Sequence, residues 1–174
     1  MSQIDSEIQT LLDKQAIYET IIRYCRGLDR FDVELMRSAW HPDAIYEHGG
    51  HYNGNAYEFC DMAIAFLKPF GPMAHMICQV HIELKDDRAH AESYGLAYQR
   101  LEKDGLSFDC VIGARLLDHF EKRNGEWKIA HRRAILDWNN DIPNVETWGK
   151  GLYGQWDTTE YGGRKDKTDP SYFW

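Results

Sequence analysis

Between residues 74 and 138 the chain carries four long stretches rich in apolar, β-branched and aromatic residues: 74–84, 88–101, 108–121 and 126–138. Only short polar turns separate them, which leaves room for hairpins and none for crossover connections, so this half of the domain is predicted to be an antiparallel meander. The last turn, Arg123-Asn124-Gly125-Glu126, is the clearest, because Asn-Gly supplies the positive φ angles of a two-residue hairpin. A sheet of this kind must bury its apolar face against a second layer, and that layer has to come from the residues before it.

Those residues read as helices. Ser2-Gln3-Ile4-Asp5 is a helix start, with serine as cap and an acid three residues on. Apolar residues recur at Ile4, Ile8, Leu11, Tyr18, Ile22 and Cys25, a stripe at helical spacing. At about 100° per residue Asp29 returns to within roughly 20° of Tyr18 and Ile22, which places a lone carboxylate at the end of the buried face. The pattern equally allows Gly27 to end the helix early and Asp29 to cap the next one. Residues 32–40 read as a short amphipathic helix with Val33, Leu35, Met36 and Trp40 inward. His41-Pro42-Asp43 reads as a turn, residues 44–48 as a short strand closed by Gly49-Gly50, and 54–70 as a helix with Tyr57, Cys60, Ile64 and Leu67 inward. Helices followed by a meander give an α+β fold, with the helices on one face of a curved, mostly antiparallel sheet.

The stretch from Pro72 to Leu84 has His75 near its entrance. Its even phase (Ala74, Met76, Cys78, Val80, Ile82, Leu84) is wholly apolar, and its odd phase, which holds His75 and His81, is mixed. The expectation is one apolar face against the core and one partly wet face with His75 at its mouth. After Trp138 the character changes: residues 139–174 set Trp148, Tyr153, Trp156, Tyr161, Tyr172, Phe173 and Trp174 among glycine and proline breakers. We divide the chain into a domain over 1–138 and an aromatic extension over 139–174, expected to cover the domain or a neighbouring subunit.

With 174 residues and no internal linker, one core is expected, and 43% hydrophobic residues suffice to build it. A net charge of −8 argues against a general nucleic-acid binder, whose phosphate contacts need basic patches. Cys25, Cys60, Cys78 and Cys110 lie far apart without zinc spacing, as expected of free thiols in a reducing compartment. No signal peptide and no apolar run of membrane-spanning length is visible, so the expected location is cytoplasmic. No glycine-rich phosphate loop and no nucleophile elbow occurs, and cofactor-independent chemistry is the simpler hypothesis.

Several motifs together resemble one family. Tyr24-Cys-Arg-Gly-Leu-Asp29-Arg, Trp40-His-Pro-Asp-Ala-Ile-Tyr46, His75, Leu117-Asp-His-Phe-Glu-Lys-Arg-Asn-Gly-Glu-Trp127-Lys-Ile-Ala-His-Arg132 and Asp137-Trp138 are similar, in order and spacing, to the SnoaL-like branch of the nuclear transport factor 2-like superfamily. The resemblance covers residues 8–138 and implies a cone-shaped α+β barrel with a deep apolar pocket between helices and sheet. The fold carries dehydratases, isomerases, dehydrohalogenases and non-enzymes. Within it the chain resembles scytalone dehydratase and hexachlorocyclohexane dehydrochlorinase, which use a histidine base oriented by an aspartate. Those positions fall on His75 and Asp29. The resemblance also implies a cavity arginine at Arg132 and a cavity aromatic at Tyr46, whereas Tyr24 stands where the dehydrochlorinase has a lysine. An aromatic pocket would further suit chemistry like that of the lignin-derived diarylpropane γ-formaldehyde lyase.

A neutral imidazole can take a proton from carbon or hydroxyl, and a carboxylate on its other nitrogen fixes the tautomer and stabilises the imidazolium. The competing reading of His75 is a core histidine bonded to a backbone carbonyl. His81 shares its phase, but six residues at ~3.3 Å each put the two about 20 Å apart, too far to share a proton or a metal. His48-Gly-Gly-His51 lacks a matching carboxylate, so no metal is expected, and His48 follows Tyr46 in alternation as a pocket residue. Arg132 needs an anionic partner if buried, with Asp29, Asp118 or a substrate oxygen available, and Arg115 and Arg133 compete for the inward position. The expected catalytic set is therefore His75, Asp29, Arg132 and Tyr24, and the expected substrate-binding set is Tyr46, His48, Trp40, Tyr98 and Leu116. The expected activity is that of a lyase on a small hydroxylated aromatic compound, acting as a homo-oligomeric dimer or trimer without membrane or nucleic-acid partners. The alternatives are a structural β-subunit of a ring-hydroxylating dioxygenase and a polyketide-cyclase-like or ligand-binding module.

Overall fold

The computed structural model describes residues 3–144 and 162–173. It is an α+β fold in which α1 (Gln3–Asp29), α2 (Val33–Arg37) and α3 (Ala56–Leu67) lie against a six-stranded sheet. The strands are β1 (Trp40–His48), β2 (Tyr52–Asn55), β3 (Met73–Lys85), β4 (Arg88–Lys103), β5 (Leu106–Arg123) and β6 (Glu126–Pro143). Their order is β2-β1-β6-β5-β4-β3. Neighbours pair antiparallel except β1 and β6, which run parallel. Among the described residues β2 and β3 remain edges, so the expected barrel is an open, curved sheet.

α1 does not break at Gly27. The glycine is instead where α2 crosses: a Cβ there would meet the backbone nitrogen of Met36 at 2.6 Å. The helix therefore runs to Asp29, and Asp32 caps α2 by accepting from the Leu35 N–H. The buried side of α1 is Ile17, Thr20, Ile21, Tyr24, Cys25 and Leu28. This corrects the predicted stripe, since Ile4, Ile8 and Leu11 are exposed and Tyr18 and Ile22 lie at the edge of the contact. The helical period is right, but the buried face is offset by one residue, along Ile17, Ile21, Tyr24 and Leu28, and full burial begins only at the fifth turn; in the turn before it Asp13 already accepts from Lys122 Nζ and the Trp127 indole N–H.

Four boundaries also shift. The helix expected over 32–40 stops at Arg37, and Trp40 begins β1. His41-Pro42-Asp43 lies inside that strand, at a register irregularity against β6 between Trp40 and Ile45, which is where a strand tolerates proline. α3 starts at Ala56 because the Asn55 side chain caps the Tyr57 and Glu58 N–H groups, and β2 occupies the residues before it. β6 continues to Pro143, past the expected boundary at Trp138, paired with the equally long β5.

The core sits between α1, α3 and the sheet, around Ile17, Ile21, Met36, Trp40, Phe120 and Ile129. Residues 162–173 lie across the C-terminal ends of α1 and α3. Lys165 Nζ donates to the carbonyls of Leu67, Phe70 and Gly71. Asp169 pairs with Arg30 at 3.3 Å, and the Tyr172 hydroxyl donates to Asp32. Trp148, Tyr153, Trp156, Tyr161 and Trp174, on which the expected aromatic cover chiefly rests, lie outside the described residues.

Candidate active site

The end of α1 meets the start of β3, and the contact is made through Asp29. His75 Nδ1–H donates to Asp29 Oδ1 at 2.6 Å, and the main-chain N–H of His75 donates to Oδ2 at 3.0 Å. One carboxylate thus holds both ring and backbone of the same residue. With the Nδ1 proton directed at a carboxylate oxygen, the tautomer leaves a lone pair on Nε2. The two side chains are only 19% and 15% exposed.

A bulge in β3 decides where His75 points. Ile77 pairs with Gly95 and Val80 with Ser93, so Cys78 and Gln79 together oppose a single residue of β4. Such a bulge reverses the alternation. Before it Met73, His75 and Ile77 face the helices; after it Val80, Ile82 and Leu84 do. The predicted wholly apolar even face is therefore split: Met76 and Cys78 lie on the outer surface. His81, expected to share the phase of His75, is on that outer surface too, paired with Glu83 at 3.2 Å.

His75 opens on a cavity of about 320 Å3 between α1 and the sheet. Its walls are largely apolar, with Leu28, Ile77, Leu96, Ile112, Leu116 and Ala134 among them, and its polar lining includes Tyr24, Tyr46, His48, His51, His75 and Gln99. On β1, Tyr46 and His48 point to one side, and the Tyr46 hydroxyl lies 2.8 Å from His48 Nδ1. Burial pushes the Tyr46 hydroxyl up to about 12, against the pull of Arg132. Burial also pushes the Tyr24 hydroxyl well above the ordinary phenol range. Burial, with His51, Arg132 and His75 nearby, lowers the pKa of His48.

Among the predicted site residues, the cavity brings together His75, Tyr24, Tyr46, His48 and Leu116, with Asp29 behind His75. It does not include Arg132, Trp40 or Tyr98. Arg132 does face inward, whereas Arg115 and Arg133 lie on the outer surface with Glu92, Asp137 and Glu47. Its guanidinium, however, is fully buried and held by Asp118 through Nε to Oδ1 at 2.6 Å and Nη2 to Oδ2 at 2.7 Å. It stacks on Tyr24 and Trp40 at 4.6 and 5.0 Å. A buried cation takes the nearest carboxylate, so Arg132 lies behind the tyrosines, paired with Asp118 and outside the cavity lining. Trp40 is fully buried in the same cluster. Tyr98 donates to Asp109, which also binds Arg100. The sequence reading missed Gln99, which is level with Met73 across β3 and β4; counting pairs back from the turn at 86–87 sets Arg100 opposite Met73, and only the bulge moves the register by one. Among the described residues no three His, Cys, Asp or Glu side chains converge on a metal-binding arrangement, and no helix is long and apolar enough to cross a membrane.

Solved structures share this architecture. A type 2 hexachlorocyclohexane dehydrochlorinase (LinA) superposes with a TM-score of 0.74 at 19% identity, covering 84% of this chain and 99% of its own. A second LinA structure gives 0.71 at 23% identity over 82% and 96%. A putative scytalone dehydratase from Novosphingobium aromaticivorans gives 0.67 at 18% identity over 79% and 92%. At these identities the likeness establishes a common fold. No curated protein matches the sequence. The SnoaL-like domain model matches residues 9–133, most of the chain and all the elements that build the cavity up to Arg133, so the chain belongs to the SnoaL-like domain family.

Proposed function

We propose that this protein is a cofactor-independent lyase in which His75 is the general base and Asp29 its orienting carboxylate. The observation that carries the reading is the double hydrogen bond from His75 to Asp29 beside an apolar cavity. His75 Nε2 takes a proton from a substrate carbon, the electron pair forms a C=C bond, and the C–O bond at the next carbon breaks. The departing oxygen regains a proton, water leaves, and the imidazolium returns to neutral. If Nε2 instead takes the proton of a primary hydroxyl, the O–H pair becomes the C=O of formaldehyde. The C–C bond then breaks, its electrons form a C=C bond and expel the oxygen at the neighbouring carbon, and that oxygen takes a proton to leave as water while the imidazolium returns to neutral. A placed general base supplies roughly 10²–10⁴-fold of such a rate.

The substrate class we propose is a small, hydroxylated aromatic compound. About 320 Å3 is at the lower end of small-molecule sites, and the walls offer apolar surface with hydroxyl and imidazole groups. The likeness to dehydrochlorinase and dehydratase structures supports elimination chemistry. The exposed Ile4, Ile8 and Leu11 on α1 support the expectation that copies of the chain associate. The test is a panel of hydroxylated aromatics, assayed with and without a strong chelator. Elimination products should form equally in both, and activity restored only by an added metal would overturn the reading.

A further inference from the structure

The cavity has a second polar pole, built from the Tyr46–His48 pair. A hydrogen bond between a phenol and an imidazole can run either way, and the surroundings set its direction. Tyr46 is 2% exposed and keeps its proton. His48 is kept neutral by its own burial and by the cationic side of its neighbourhood. Between a protonated phenol and a neutral imidazole, the phenol is the stronger acid and the imidazole nitrogen the stronger base. The Tyr46 O–H therefore donates to His48 Nδ1, which leaves the proton of His48 on Nε2. This is the reverse of His75, whose Nδ1 carries the proton.

The rest of the lining says what this donor can meet. Among the described residues no Lys, Arg, Asp or Glu lines the cavity, and the nearby guanidinium of Arg132 is neutralised by Asp118. A carboxylate or an ammonium in this space would be an unpaired charge among apolar walls. An uncharged acceptor oxygen would instead be satisfied by the imidazole N–H.

We propose that His48, locked by Tyr46 in its Nε2–H tautomer, is a substrate-binding residue that donates a hydrogen bond to the carbonyl oxygen of a neutral aromatic ketone or enone. The inference rests on the reading of His75 as the base. A ketone whose oxygen meets His48 has acidified α-hydrogens, and the charge that builds on that oxygen as His75 removes one is stabilised by a donor already in place. His48 transfers no proton; the donor stays on Nε2 throughout. Its role is to select a neutral carbonyl and to strengthen its bond as charge develops.

The test uses the full chain with 15N-labelled histidine and two probes of one shape, acetophenone and α-methylstyrene, which differ by C=O against C=CH2. The His48 spectrum should show Nε2 protonated and Nδ1 bare, and acetophenone alone should shift the Nε2–H signal. One neutral hydrogen bond should make acetophenone bind about 3- to 10-fold tighter than α-methylstyrene, and benzoate should bind more weakly than either. Tyr46→Phe should release the tautomer and reduce the preference, and His48→Leu should abolish it. His75→Ala should leave it in place, so loss of the base and loss of the donor are read separately. An Nδ1–H tautomer in the wild type, equal affinity for the two probes, or a preference that survives His48→Leu would overturn the proposal.

Discussion

Asp29→Asn separates an orienting carboxylate from a merely structural one. Both oxygens of Asp29 accept, one from the ring and one from the main chain of His75. An amide has one oxygen and one NH2. The backbone N–H is always a donor, so the amide oxygen turns to it and the NH2 faces Nδ1. Nδ1 must then accept, the proton moves to Nε2, and the lone pair that would act as base is gone. Keeping the productive tautomer would set the NH2 against the backbone N–H, leaving a part-buried donor unsatisfied at a cost of about 1–3 kcal/mol, roughly 5- to 150-fold in rate. The variant also loses the negative charge that supports an imidazolium. Together these predict a fall in kcat/KM of roughly 10²–10⁴-fold, close to that of His75→Ala. The double variant should fall little further, because residues acting as a unit are not additive. The assay is kcat/KM on the best substrate of the panel, with a melting curve and a histidine 15N spectrum for each variant. Retention of activity within about threefold, an Nδ1–H tautomer for His75 in the variant, or losses that multiply would refute the argument.

Gly27→Ala should destabilise the fold by about 1–3 kcal/mol, read as a lower urea midpoint, because its Cβ would meet the Met36 backbone at 2.6 Å. Asp118→Ala leaves Arg132 buried without a counter-ion and should cost about 3–5 kcal/mol in the same measurement, more than the exposed pair mutant Asp61→Ala. The carboxyl of Asp169 is disfavoured by burial but held down to about 2 by the N–H groups of Arg164 and Ser171, the Ser171 hydroxyl and Arg30. Its folded pKa lies below the ordinary value of 3.8, so its contribution, on the order of 2 kcal/mol, is complete above about pH 4 and is lost as pH falls towards 2. The stability gap between wild type and Asp169→Asn should close over that window. Iodoacetamide at neutral pH should label Cys78 first, by mass spectrometry of peptides. Cys25, Cys60 and Cys110 are buried, and burial pushes their thiols up to about 12, 12 and 11.

What was legible in the sequence was local or additive. The meander could be read because strand periodicity and turn chemistry are short-range, and the β5–β6 hairpin forms at Asn124 and Gly125, both with positive φ as expected. The closeness of Asp29 to His75 was open on periodicity alone, because the glycine that can end a helix also admits a crossing helix, and only Met36 shows which. The bulge at Cys78–Gln79 had no local signal: neither residue is a glycine, and the insertion is visible only against the partner strand. Arg132 is on the expected face and pairs with Asp118, one of the three partners its sequence context allows, but it lies behind the cavity and not in its lining. A phase argument gives the direction of a side chain and not its depth, and Asp118 on the adjacent strand intercepts the guanidinium before it reaches the cavity.

The clasp formed by residues 162–173 gives the chain a late step in its assembly. Asp169 and Tyr172 bind Arg30 and Asp32, about 140 residues upstream, and Lys165 caps carbonyls at the end of α3. β1, too, completes its ladder only when β6 arrives beside it. During synthesis the clasp can close over the C-terminal turn of α1 only once residues 162–173 have been made. Contacts so distant in sequence close slowly. Closure of the clasp is thus expected to follow formation of the β3–β6 meander, so a nascent chain stalled before residue 162 would hold the Asp29–His75 pair while Arg30 and Asp32 beside it still lack their Asp169 and Tyr172 partners.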